Sequence, residues 1–143
     1  MEITLTTALI RLGVSLLLGG AIGIERLIHN HPAGVRTFML ICLGSTLATL
    51  ASIYICQDNM GLHNGDPGRI AAQILTGVGF IGAGLIIKND DRVSGITTAS
   101  CIFVTAVIGV SVGVGLLIPS SVATVAVLMI LISSSYTKRG KKK

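Results

Sequence analysis

Three groups of residues in this sequence are of types and spacings that do chemistry. The stretch GVGFIGAG, residues 77 to 84, fits G-x-G-x-x-G, the glycine pattern by which a strand-to-helix turn holds a dinucleotide pyrophosphate. Arg11, Asp66, Arg69 and Gln73 are polar side chains set in or beside long apolar runs, where they serve either a structural network or a ligand or ion site. IERLIHNHPAGVRT supplies Glu25, Arg26, His29, His31, Arg36 and Thr37, and KNDDRVSGITTAS adds Asp90, Asp91, Arg92, Thr97 and Thr98. Carboxylates such as Glu25, Asp90 and Asp91 offer the oxygen ligands that a hard cation like Mg²⁺ takes. The arginines beside them weaken a direct cation site, and His29 and His31, two apart, point away from each other on a helix. The second reading of this group is local pairing that closes two helix ends.

The glycine pattern lacks its required surroundings. A dinucleotide turn follows a strand, opens a helix, and is answered by an acid about 20 residues on. Here DPGRIAAQILT precedes it, a turn and a proline running into good helix formers, and Asp90 and Asp91 come too early. No nucleophile, base and orienting residue recur at a usable spacing either, so no enzyme, cofactor or resident metal is expected.

What must position these residues is a set of membrane-length helices. Hydrophobic residues make up 51% of the 143 residues and charged ones 12%, with 18 glycines and no tryptophan. A bilayer-spanning helix needs roughly 20 mostly apolar residues. The sequence offers Ile3 to Ile24, Val35 to Cys56, Ile70 to Ile87 and Gly95 to Ile118, then a shorter run after Pro119 from Ser120 to Ser135. The expected fold is therefore all-α, a polytopic bundle of about five spans over residues 1–135 with a basic tail over 136–143. Arg11 lies inside the first apolar stretch rather than ahead of it, so that stretch is read as a retained span and not a signal peptide. Cys42, Cys56 and Cys101 show no C-x-x-C spacing and are read as packing residues.

Charge orients the bundle. With five spans and the N-terminus outside, Arg26, Arg36, Lys88, Arg92 and the five basic residues of KRGKKK face the cytoplasm, nine against Arg11 and Arg69 outside. The net charge of +5 thus belongs largely to a tail suited to an anionic lipid surface, and nucleic acid is not an expected partner.

Glycines take the role of contact residues. Without a hydrophobic drive between helices in lipid, small residues let backbones approach. Gly19 and Gly23, and Gly109 and Gly113, have G-x-x-x-G spacing, while Gly77 and Gly84 share one face of the third span and Gly79 and Gly82 mark another. A helix notched on two faces is expected at the bundle centre, with Gly77 buried against a neighbour. Asp66 and Pro67 are expected to start that helix, with Arg69, Gln73 and Thr76 as a polar stripe. Arg11, about 12 Å into its helix at about 1.5 Å per residue, would then find Asp66, Gln73 or a backbone carbonyl on the same side.

IGIER at 22 to 26, PAGVRTFMLICLGS at 32 to 45, DPGRIAAQILTGVGFIGAGLII at 66 to 87 and VSGITTAS at 93 to 100 resemble, in order and spacing, the motifs of the MgtC/SapB family of bacterial inner-membrane proteins. The resemblance runs over roughly residues 8 to 115. It implies a multi-pass inner-membrane protein associated with growth at low magnesium, in some pathogens with survival inside macrophages, and in some members with restraint of the F-type ATP synthase. The positions it carries over are Glu25, Arg26, Gly34, Arg36, Thr37, Asp66, Arg69, Ala72, Gln73, Gly77, Gly79, Gly82, Gly84, Gly95, Thr97 and Thr98. Larger members carry a soluble C-terminal domain after the membrane part, and many have a tryptophan near the position of Phe103. The expected function is a non-enzymatic regulator in contact with another inner-membrane protein; the alternative is a transporter or channel for Mg²⁺ or another small solute. Expected partners are membrane lipids, that second membrane protein and, as a candidate assembly, a homodimer.

Overall fold

Helices carry the fold because the apolar runs offer no turn chemistry inside them. In the computed structural model, which describes residues 3–57, 66, 68–89 and 92–140, these are α1 (Leu5–Ile28), α2 (Val35–Gln57), α3 (Gly68–Gly84), α4 (Ile96–Val114) and α5 (Leu117–Gly140). Between α3 and α4 lie two short strands, β1 (Ile87–Asn89) and β2 (Arg92–Ser94), paired antiparallel with Ile87 opposite Ser94. The architecture is the expected all-α one, with this hairpin added.

The molecule is turned inside out relative to a water-soluble bundle. Large apolar side chains point outward, among them Leu17 at 73% exposed, Leu40 at 68%, Phe80 at 84% and Ile118 at 79%. The interior holds, beside a core of Ile22, Phe38, Ile102, Ile108 and Val112, the polar side chains Arg11, Ser15, Glu25, Arg26, Thr46, Thr98, Thr105 and Thr124. Soluble proteins seldom expose apolar surface on this scale, whereas a lipid-facing surface requires it. Three helices, Leu5–Ile28, Val35–Cys56 and Ile96–Val114, are long and apolar enough to cross a bilayer. α5 adds a shorter apolar stretch, Leu117–Ser133. α3 has 17 residues, about 25 Å against a hydrocarbon core of about 30 Å.

The central helix is α4, not α3. α4 packs against α1, α2, α3 and α5, and its buried positions, from Thr98 and Ala99 through Thr105 and Ala106 to Val112 and Gly113, lie on almost every side. α1 and α2 form the most extensive pair, and α2 with α4 the next. α3 touches α4 and, less, α2, along a stripe of Ile74, Leu75, Val78 and Gly82. Its other face, with Ala72, Gln73, Thr76, Gly77, Phe80 and Gly84, is exposed. The expected central placing of α3 fails because its small residues sit on the side turned away from the chain.

Several element ends differ from the apolar runs. α1 continues past Ile24 to Ile28, so Glu25 and Arg26 belong to its last turn and not to a loop. α3 stops at Gly84, and Ile87 pairs in the hairpin. The α4–α5 break falls at Gly115, where φ is 105°, rather than at Pro119, which sits in the first turn of α5. Proline is tolerated in a first turn because its missing N–H would be unpaired there anyway. α5 runs through Gly140, so residues 136–140 of the expected tail continue its helix. Asp90, Asp91 and Pro67 lie outside the described residues.

Candidate functional site

The end of the bundle holding the C-terminus of α1, the hairpin and the N-terminus of α4 is called here the hairpin end. At it, Glu25 and Arg26 are 6% and 3% exposed, and Arg26 Nε donates to Glu25 Oε2. One turn on, His29 Nδ1 lies 2.9 Å from the Glu25 backbone oxygen and 3.0 Å from Glu25 Oε1. The hydrogen bond goes to the backbone oxygen, so Oε1 is a buried carboxylate oxygen that accepts no hydrogen bond among the described residues. Cys101 on α4 is within electrostatic range of both Glu25 and Arg26.

Local sequence builds this corner. His31 N donates to Arg26 O at 3.1 Å and Asn30 N to Leu27 O at 3.1 Å, with Asn30 at φ 54°. This is the Schellman closure, in which a left-handed residue turns the last amides back onto the helix carbonyls. HNH is thus first a helix stop, with asparagine tolerating the left-handed conformation. Arg26 suits the negative end of the helix dipole and Glu25 does not. A carboxylate kept at the wrong pole of a helix, buried and held by a neighbouring guanidinium, is the group in this corner that helix-end chemistry alone does not explain.

The other residues of this group are only partly gathered. Thr98 is buried at the start of α4, Thr37 is half-buried, and Arg36 and Thr97 are exposed. The described ion pairs are those of Glu25 with Arg26 and His29, so Arg36 is not drawn into the pair.

The opposite end corrects the expected polar network. Arg11 is 5% exposed and its Nη1 donates to Gly113 O at 2.7 Å. There α4 ends in a second Schellman closure, with Leu116 N bonded to Ser111 O at 3.0 Å and Gly115 N to Val112 O at 3.0 Å. Arg11 therefore caps the carbonyl end of α4, where a cation is favoured. Asp66, Arg69 and Gln73 are exposed on and beside α3 and do not join it. Asp66 Oδ1 instead accepts from Gly68 N at 2.8 Å, at the start of α3.

Between the two ends the helices meet at glycines. A Cβ on Gly19 would lie 2.7 Å from Phe38 O, one on Gly23 2.6 Å from Val35 Cα, and one on Gly109 2.5 Å from Cys42 O. On Gly113 it would lie 2.6 Å from Thr49 Cβ. The first three are approaches to backbone, and the fourth to a buried side chain, that no larger residue permits without a shift. Cys42 is gripped from both sides, by Gly19 of α1 and Gly109 of α4, and Thr46 Oγ1 donates to Gly109 O at 2.8 Å beside it. Gly82 makes ordinary contact with Ala99, whereas a Cβ on Gly77, Gly79 or Gly84 would meet nothing within 4 Å. Gly77 is thus open within the chain, contrary to the expectation that it is buried. GVGFIGAG lies almost wholly in the interior of α3 with no strand before it among the described residues, so it lacks the geometry of a phosphate-binding turn.

Hydroxyl side chains that were not among the candidate site residues line much of this interior. Ser45, Thr46, Thr49 and Ser52 form a buried hydroxyl stripe on α2, visible in the sequence as a three-to-four-residue repeat. Gly95, at φ 88°, is obligatory because a Cβ there would run into Leu85 O.

A family model described as the MgtC family matches residues 12–139, which takes in the Glu25–Arg26 corner, α2, α3 and α4 entire and most of α1 and α5, and begins one residue after Arg11. The chain belongs to the MgtC family. It is 45% identical over 125 residues to "Putative magnesium transporter YhiD" of Escherichia coli strain K12, covering 86% of this chain and 58% of that protein. To "Protein MgtC" of Brucella abortus it is 39% identical over 114 residues, covering 80% and 45%, and to "Protein SapB" of Bacillus subtilis 38% over 131 residues, covering 90% and 55%. The chain thus spans about half the length of the curated relatives it matches. No solved structure matches it. Membership in the MgtC family agrees with the resemblance read from its motifs, and with the apolar exterior makes this a membrane protein.

Proposed function

We propose that this chain forms the membrane portion of a non-enzymatic regulator in the bacterial inner membrane, which adapts the cell to magnesium limitation by contact with another membrane complex. The observation that carries this reading is the backbone-to-backbone closure of α1, α2 and α4 at Gly19, Gly23 and Gly109. A solute path between those helices would have to part the contacts that hold them. Arg11, the charge best placed to line such a path, is engaged with the end of α4. In this reading the hairpin end, with Arg26, Arg36, Lys88 and Arg92, faces the cytoplasm, as the charge asymmetry requires.

A carrier is the second reading, favoured by one observation and one name. Glu25 Oε1 is buried without a hydrogen bond, a position from which a carboxylate can ligate a cation. The Escherichia coli relative is named for magnesium transport.

Two measurements on the full chain separate the readings. Purified protein in vesicles loaded with a magnesium-sensitive dye is expected to give no saturable Mg²⁺ flux, while its gene restores low-magnesium growth to a strain lacking its own. Saturable flux that disappears in Glu25→Gln or Gln73→Leu, with the variants' helix content unchanged, would overturn the regulator reading in favour of a carrier. Failure to restore growth would remove the link to magnesium altogether.

A further inference from the structure

The face of α3 turned away from the chain has an order that lipid does not explain. Gln73, Gly77, Phe80 and Gly84 follow one another at spacings of four, three and four, the seam spacing of two helices wound together. Phe80 is 84% exposed, and a Cβ on Gly77 or Gly84 would meet nothing within 4 Å, so a projecting ring stands between two open sockets. Gln73 is exposed on the same face and no hydrogen bond of its amide occurs among the described residues. α3 packs along α4, which is long and apolar enough to cross the bilayer, so Gln73, five residues and about 7.5 Å into α3, is at membrane depth. An amide facing hydrocarbon is costly.

At the rim of this face stand Asp66 and Arg69, three apart, both exposed and in no described ion pair. We propose that a second copy of this chain occupies the face, forming a parallel two-fold dimer in which α3 packs on α3, Arg69 of each copy meets Asp66 of the other, and the two Gln73 amides bond to each other. The membrane fixes this symmetry: identical chains share one orientation, so their α3 helices run parallel with equal residues at equal depth. Under a two-fold axis a contact from residue i to residue j is repeated from j to i. Opposite charges three residues apart then pair twice, and an amide, both donor and acceptor, complements itself. Phe80 of each copy enters the space over Gly77 and Gly84 of the other. This assembly stands apart from the magnesium reading and does not depend on it.

Charge exchange between copies tests the dimer without relying on the folding of any one variant. Full chains labelled with donor or acceptor dyes are placed in phosphatidylethanolamine and phosphatidylglycerol vesicles, and energy transfer is followed as lipid dilutes protein. Wild type is expected to associate reversibly. Asp66→Arg alone and Arg69→Asp alone should lose transfer, because each homodimer sets like charges together. Mixed, the two should recover it, because both cross-pairs are again opposite. Gln73→Leu should weaken association roughly three- to thirtyfold, the range for interhelical hydrogen bonds in membranes. Leu17→Ala, on the exposed face of α1, should change nothing. Monomers at every dilution, charge reversals without effect, or a mixture that fails to recover would overturn the proposal. So would monomeric wild type whose α3 face is shielded by a different membrane protein extracted with it.

Discussion

The glycines of α1 and α4 and the glycines of α3 are the same residue lined up on helix faces, and they do different things. Gly19, Gly23 and Gly109 sit where another backbone leaves no room for a side chain, and Gly113 where the Thr49 side chain leaves none. Gly77, Gly79 and Gly84 face open space. The difference lies in what stands opposite. Across from the first set, α2 offers Val35, Phe38, Cys42 and Thr49, while α3 turns only Gly82 toward Ala99 and keeps the rest outward. A small residue marks a helix face that can be approached closely, and only the fold decides whether the approaching surface belongs to the same chain.

Substitutions should separate the two sets, the largest effect first. Gly109→Leu is expected to abolish folded protein, because the side chain would occupy the Cys42 carbonyl; overpacking costs typically about 1 to 3 kcal/mol even where neighbours shift, and backbone on backbone cannot shift far. Size-exclusion chromatography and helix content by circular dichroism would read the loss, and a well-folded Gly109→Leu would break the comparison. Next comes Arg11→Leu, which strips the end of α4 of its charged cap and leaves Gly113 O unpaired in a buried site, a loss of about 1 to 3 kcal/mol in thermal unfolding. Arg11→Lys should recover part of it. Gly115→Ala follows, at about 1 to 2 kcal/mol for an L-residue forced left-handed, with a Cβ 2.7 Å from Arg11 Nη2 as a further cost. The smallest effect is expected for Thr46→Val, which removes one bond to Gly109 O; such bonds in membranes average about 0.6 kcal/mol.

Much of this architecture is legible before any coordinates. Apolar runs of membrane length mark α1, α2 and α4, and G-x-x-x-G marks the glycines that meet α2. The ends are less legible, because hydropathy averages over a helix while a cap depends on single residues. Pro119 looks like the stop of α4, yet Gly115 ends it, since a left-handed residue closes the carbonyl end and a proline fits the next helix's first turn. Glu25 and Arg26 look like loop residues because charge is costly in lipid, but pairing with each other lets them enter the last turn of α1. The strand pair is not legible although Ile86, Ile87 and Val93 flank the polar stretch NDD in the sequence, since three-residue strands give too short an alternation to stand out among apolar runs. Arg11 takes a backbone carbonyl, one of the three kinds of acceptor expected for it, and no side-chain pattern tells that acceptor from Asp66 or Gln73. The opposed roles of the two glycine sets are not legible in sequence, because a spacing of four in α1 and α4 and of seven in α3 each puts glycines on one helix face without saying what stands opposite.

The most direct test of that distinction sets Gly109→Leu beside Gly77→Leu, with thermal unfolding of the full chain measured for each in detergent at a dilution where it is monomeric, so that contacts between copies do not enter. Gly109→Leu is expected to yield little or no folded protein, while Gly77→Leu should unfold within about 0.5 kcal/mol of wild type, as substitutions away from buried features usually do. Equal destabilisation of the two would contradict that distinction, because Gly77 would then be buried against this chain as Gly109 is.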